Sequence, residues 1–391
     1  MIQNAKLLGF MFLLALLTSG AVSAAEPNYD SIANKVVNQS LQIQPGEVVV
    51  INGNASQIKL MGALFVAVSK AGGEAVVQLN LPEAGKRALL ETPIEHLKRL
   101  PTFGLYQARG ADCFINVTST QDPDLLADVP EDRLAASRQA SAPLNDAFRN
   151  LRFRSTTLGQ IGGIPSEAYA KSVGADYSQL STMFWKAVDV NPSDLASTAT
   201  KVTGKLNPGT NIRITSKEGT DLTLKIGEIP ARINAGRTQD VVASTGPLNA
   251  WLPAGEAYVC LDESSASGNV VVPRTDFRGV TISNLKITFK DGRMTAFTAD
   301  SGKDLLQKFF DASRPNLKNL TVIDFGLNPN IQPLANSHYL SWEMGGIVSV
   351  SMGNTSWGGC KNDADASFDL HLAGTTVTVG NEVLIKDGKL Q

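Results

Sequence analysis

The sequence predicts an α/β N-terminal domain with a parallel sheet, followed by an α+β, strand-rich C-terminal domain. Three observations lead there. Strand-period and helix-period segments alternate through the first half of the chain. Short alternating strands separated by turn residues fill the second half. The 391 residues also exceed the roughly 250–300 over which a single core grows. Two domains are therefore expected, 26–200 and 201–391, with the boundary near residue 200.

Residues 1–25 read as a secretory signal. Lys6 is the only charge before the apolar run LLGFMFLLALL at 7–17, and the small residues SGAVSAA follow at 19–25. Cleavage after Ala24 or Ala25 fits the small-residue rule. The run is well short of the roughly 20 residues that span a bilayer, and no Cys offers a lipid attachment point. The expectation is an exported protein, periplasmic or secreted, with no membrane anchor after cleavage.

An amphipathic helix is expected over 29–41, a turn at Gln44-Pro45-Gly46, and a buried β-branched strand over 47–52. A helix over 58–70 ends at Gly72-Gly73, and 75–79 forms the next strand. This βαβ unit implies a parallel sheet with helices packed on it. A further strand is expected at 113–117, a helix at 137–151 and a helical stretch at 182–203. Beyond these come strands at 211–215, 221–226, 270–272 and 285–289, with turns at Glu218-Gly219 and Lys290-Asp291-Gly292. A helix at 304–313 precedes strands at 320–325, 346–352 and 366–372 and a closing hairpin at 375–390. No internal repeat or low-complexity segment is present.

Charge is balanced, 35 basic against 37 acidic residues, so no nucleic-acid partner is indicated. Histidine is scarce: His96, His338 and His371. A site needing several imidazoles would have to use nearly all of them. Cys113, Cys260 and Cys360 are too few for a disulfide scaffold, but an oxidising compartment allows one bridge. A serine-nucleophile elbow, a phosphate loop and paired CxxC motifs are absent from the sequence.

Several ordered segments resemble the thermophilic metallo-aminopeptidases. They are LQIQPGEVVVI at 41–51, KAGG at 70–73, ITSKEGTDL at 214–222, NAWLPAGEAY at 249–258, DFGLNP at 324–329 and GIVSVSMG at 346–353. The resemblance implies removal of N-terminal residues from peptides by two bound metal ions, and a homodimer. In such sites a metal-bound water is a nucleophile near neutral pH, and the second ion clamps substrate and oxyanion.

The family's ligand set is two Glu, two His, one Tyr and one Asp. Carried over by motif, the first Glu falls on Glu256. The second falls on Asp324, one methylene shorter. The first His falls on Ser349. The His-X-Asp pair falls on Ser367-Phe368-Asp369, which keeps the Asp and loses the His. Trp357 lies in the region of the Tyr and has no ligating atom.

Ser367, Asp369 and His371 alternate along an expected strand and so share a face. His371 is placed to restore an imidazole from the other side of Asp369, and His338 to reach inward. The alternative is that both are hydrogen-bonded structural residues. The candidate metal ligands are thus Glu256, Asp324, Asp369 and His371, with Asp324 the candidate catalytic carboxylate. Such a set would bind a divalent ion (Zn, Mn, Co or Mg), or none if the substitutions have dismantled it. If the fold brings Cys260 and Cys360 together, they form a disulfide or a thiol site; otherwise they are buried free thiols. Two functions follow: an exported aminopeptidase with a partly degenerate metal site, or a non-catalytic protein that binds a peptide or small molecule on the same fold.

Overall fold

The computed structural model describes residues 27–122, 124–159, 163–241, 247–334 and 337–391. The expected signal segment at 1–25 lies outside them. Among the described residues, no helix is long and apolar enough to cross a membrane.

The first sheet is parallel throughout. Its five strands lie in the order Glu74–Asn80, Val48–Asn54, Cys113–Val117, Arg154–Leu158, Leu248–Leu252. The first βαβ unit forms as its pattern predicts, with the helix Ile58–Lys70 between the first two strands in sequence. Val49, Ile51, Cys113, Ile115, Leu158 and Leu252 pack on one face against helices 29–41, 58–70, 177–188 and 192–203. The segment 29–41 begins as an α-helix, Tyr29–Lys35, and ends as a π-helix, Val36–Leu41. On the opposite face only a small apolar cluster forms, centred on Val50, Phe114 and Phe153. The rest of that face opens into a cleft.

Two antiparallel sheets follow. The eight-stranded second sheet runs from Arg293–Thr298 at one edge to Lys389–Leu390 at the other. The third sheet has the order Ser367–Leu372, Val348–Gly353, Leu320–Gly326, Glu256–Cys260, Arg232–Asn234. Both contribute to one apolar core, closed by the helix Lys303–Ala312 through Leu306, Phe309 and Phe310. The expected boundary near 200 falls in the helix Pro192–Thr203. Past it, Leu248–Leu252 returns to the first sheet before the chain enters the third.

The third sheet positions the site. Its side chains alternate by strand geometry. Ala257, Val259, Ile323, Phe325, Val348, Val350, Leu370 and Leu372 enter the core. The intervening residues, Glu256, Tyr258, Asp324, Ser349, Ser351, Asp369 and His371, share the other face. That face is polar yet largely covered, by residues 327–334 and 337–347 and by the region of the first sheet.

A buried carboxylate group and a histidine pair on one sheet face

Strand register aligns the polar face. Arg232 pairs with Tyr258, Tyr258 with Asp324, Asp324 with Ser349, and Ser349 with His371. Side chains directly opposite one another project to the same side, so these five form a row across all five strands. A second row runs Asn234, Glu256, Gly326.

Gly326 explains what lies over the row. A Cβ there would stand 2.1 Å from the Met344 carbonyl oxygen and 2.7 Å from that of Trp342. The backbone of 342–344 therefore rests directly on the strand, in the space a side chain would fill. This seats Glu343 beside Asp324 and Glu256. The return is fixed by the Gly326 N–H donating to Ile347 and the Asn328 N–H donating to Glu343 at 2.7 Å.

Glu256, Asp324 and Glu343 are 2, 0 and 1 % exposed. Burial raises the Glu256 carboxyl well above the usual range, and the charges of Asp324 and Glu343 raise it further. The indole N–H of Trp251 opposes this by donating to Glu256 Oε2 at 2.9 Å. Burial and then Glu343 raise Asp324. Burial pushes Glu343 up to about 8. All four carboxylate oxygens of Asp324 and Glu343 are buried without a hydrogen-bond partner. An uncompensated buried ion costs several kcal/mol. The group must therefore either carry protons or hold a cation.

Across the sheet, the Ser351 hydroxyl donates to Asp369 Oδ1 at 2.6 Å, and Ser349 Oγ lies 2.7 Å from His371 Nδ1. The His338 and His371 rings are 5.0 Å apart, with Trp342 edge-on to His371 at 5.1 Å. His338 Nε2 accepts from the Asp276 N–H and contacts the Thr275 hydroxyl at 2.8 Å. Burial lowers both histidines, His371 to about 3 with His338 adding to the effect. Both are neutral at pH 7. With Asp369, Asp276 and Arg274 they line a pocket of about 740 Å³.

The sequence-derived site residues thus fall into two groups on one face: Glu256 and Asp324 toward the first domain, Asp369 and His371 toward the far edge. Cys260 and Cys360 are joined (S–S 2.02 Å), while Cys113 is free and buried. Trp357 packs on Tyr258 at 5.2 Å and on Trp342 at 5.8 Å. Three residues of the site, Glu343, Arg232 and Trp251, are not marked as ligands or catalytic groups by any motif in the sequence. Glu343 did carry a signal, being the only charged residue between Asp324 and Lys361.

The architecture is thus a parallel α/β sheet region followed by two antiparallel sheets, one of which buries acids on its polar face. The thermophilic metalloprotease (M29) family matches residues 25–314, and the chain belongs to that family. The match ends before Asp324, Glu343, Ser349, Asp369 and His371. The aminopeptidase AmpS of Bacillus subtilis (strain 168) is 23% identical over 72% of this chain and 73% of its own length. The aminopeptidase PepS of Streptococcus thermophilus is 21% identical over 72% of each. Among solved structures, AmpT from Thermus thermophilus superposes with a TM-score of 0.69 at 13% identity, covering 93% of this chain and 98% of its own. A 2,5-dihydroxypyridine dioxygenase from Pseudomonas putida KT2440 reaches 0.60, also at 13% identity, over 93% and 96%. These two structures report on the fold, which hosts more than one chemistry.

The family is one of metalloproteases, and the residues present suit a metal in a limited way. The four unpartnered oxygens of Asp324 and Glu343, with Glu256 alongside, are the donor chemistry of a hard cation. Among the described residues, however, no three His, Cys, Asp or Glu side chains already form a ligand cage. The imidazoles are turned to their own pocket. Among the described residues, the histidine-bearing set that the resemblance implies is not gathered into one group.

Proposed function

We propose that this chain is an exported aminopeptidase-like hydrolase that removes N-terminal residues from peptides at a reduced, oxygen-ligated form of the family's metal site. The observation that carries the reading is the set of unpartnered, fully buried carboxylate oxygens on Asp324 and Glu343 beside Glu256. Asp324, Glu343 and Glu256 would hold the ion. When bound, a divalent ion supplies charge neutralisation and a more acidic water. Trp251 fixes Glu256 through its indole N–H. Asp324 takes the proton of the attacking water and passes it to the leaving amine. The scissile bond approaches from the interdomain cleft, past Trp251 and Tyr258.

Export and dimerisation belong to the same proposal. Mass spectrometry of the periplasmic or secreted protein should find an N-terminus at Ala25 or Glu26, and light scattering should find a dimer.

The deciding experiment measures metal content and release of N-terminal residues from peptides, after chelation and after addition of Zn, Mn, Co or Mg. Turnover restored by metal and lost in Asp324→Asn is expected. No uptake of any of these ions together with no turnover would overturn the reading.

A further inference from the structure

The cleft between the first sheet and the third has a volume of about 1070 Å³. Its lining residues include Arg149 and Arg232 and no Asp or Glu. The carboxylates of the site stand behind its wall, with Trp251 and Tyr258 in front of them. Arg149 is already paired with Asp146. Arg232 is half-buried and has no acidic partner among the described residues.

Arg232 is also held in place. Its Nη1 donates to the Gly358 carbonyl at 2.7 Å, and its positive charge acts on the Tyr258 hydroxyl, partly offsetting the effect of burial there. A Cβ on Gly359 would stand 2.0 Å from Nη1, so the guanidinium lies flat against that loop. The loop is tethered to the strand Glu256–Cys260 by the Cys260–Cys360 disulfide. A pinned guanidinium facing an acid-free cleft, with N–H donors to spare, is built to receive a planar anion.

We propose that Arg232 binds the α-carboxylate of short peptides, restricting the cleft to substrates with one or two residues beyond the scissile bond. This rests on the peptidase reading for its choice of anion. The sheet supplies the ruler. Arg232 and Asp324 are two strands apart in one row, about 10 Å at roughly 4.8 Å per strand. An extended peptide advances about 3.3–3.6 Å per residue. One or two residues, plus the reach of the side chains, fill that distance. The first-sheet ladder of Asn52, Asn116 and Thr157 faces the same cleft and offers neutral donors and acceptors to the peptide's amides.

Calorimetry on the wild-type protein, kept in chelator so that nothing is cleaved, compares Leu-Gly-Gly with its C-terminal amide. Loss of one charge-assisted contact should weaken the amide by roughly 10–100-fold. A six-residue glycine-extended peptide should be weakened similarly. In Arg232→Gln the acid should bind no better than the amide, and Arg232→Lys should recover part of the difference. Equal binding of acid and amide by the wild type overturns the proposal, as does a preference that survives in Arg232→Gln. If Arg232→Gln does not fold, the wild-type comparison alone decides. Binding in chelator is independent of turnover, so an inactive protein that still prefers the acid would sink the peptidase reading and leave the carboxylate receptor standing.

Discussion

Glu343 concentrates the electrostatics of the site. Its ordinary pKa is 4.5, and burial raises it to about 8 in the folded chain. A carboxyl raised on folding stabilises the fold below its unfolded pKa and loses that contribution as pH rises through the folded value. His338 and His371 work in the opposite sense, because their lowered pKa values favour the fold above 6.5 and disfavour it on acidification. Above 6.5 the imidazoles are mostly neutral in both states, which leaves the carboxylates in control up to about 8. In chelator, the thermal midpoint should therefore fall as pH rises across that window. Glu343→Gln should flatten the slope, and adding Mn or Mg should flatten it in the wild type. A midpoint that climbs with pH in chelated wild-type protein would contradict this account of the buried acids.

At the scale of elements, the strand Leu320–Gly326 does two jobs. Ile323 and Phe325 enter the core, while Asp324 and the bare Cα of Gly326 face the site. Gly326→Ala would push a methyl group into the Trp342 and Met344 carbonyls. Overpacking of this kind costs about 1–3 kcal/mol. Denaturant titration should show that loss, and the displaced Glu343 should weaken metal uptake in the same variant. Val350→Ala, which only empties core volume on the other face, should destabilise by about 2 kcal/mol or somewhat less and leave metal uptake unchanged.

The elements also show which parts of the architecture could be read from the chain. The helix Ile58–Lys70 and the strands Cys113–Val117 and Asn211–Thr215 form where their periodicity puts them. The strands Arg154–Leu158 and Leu248–Leu252 escape such reading. A polar residue, Thr156, is buried on the core side and a large aromatic, Trp251, lines the cleft, so RSTTL and LNAWL show no clean alternation. The strand Glu256–Cys260 is masked by Pro253 and Gly255, which make the segment look like a turn. Glu256 and Asp324 were legible because motifs carried them. Glu343 and Arg232 were not, because what makes them matter is a glycine on the strand beneath residues 342–344 and a register between strands distant in sequence. Periodicity reports which face a residue occupies, not what crosses over that face.

At the scale of the whole molecule, the Cys260–Cys360 bridge spans 100 residues of sequence. Its removal should cost about 2–5 kcal/mol. Cys113 is buried, with its thiol pushed up to about 12 mainly by desolvation. The native oxidised protein should thus show no thiol reactive to a neutral-pH alkylating reagent. Unfolding without reductant should reveal one thiol, and unfolding with reductant three. Mass spectrometry after alkylation counts them. Any other sequence of counts would mean a different pairing.

That bridge also gives the molecule a dependence on where it is made. The Arg232 anchor is only as firm as the loop beneath it, and the loop is only as firm as the bridge. The same polypeptide produced in a reducing cytoplasm would keep its sheets and its buried acids but present a slack recognition arm. Oxidation would then supply selectivity in addition to the stability of the closed loop. A batch of protein could pass every test of secondary structure and still differ severalfold from its neighbour in grip on a tripeptide, according only to the compartment it came from.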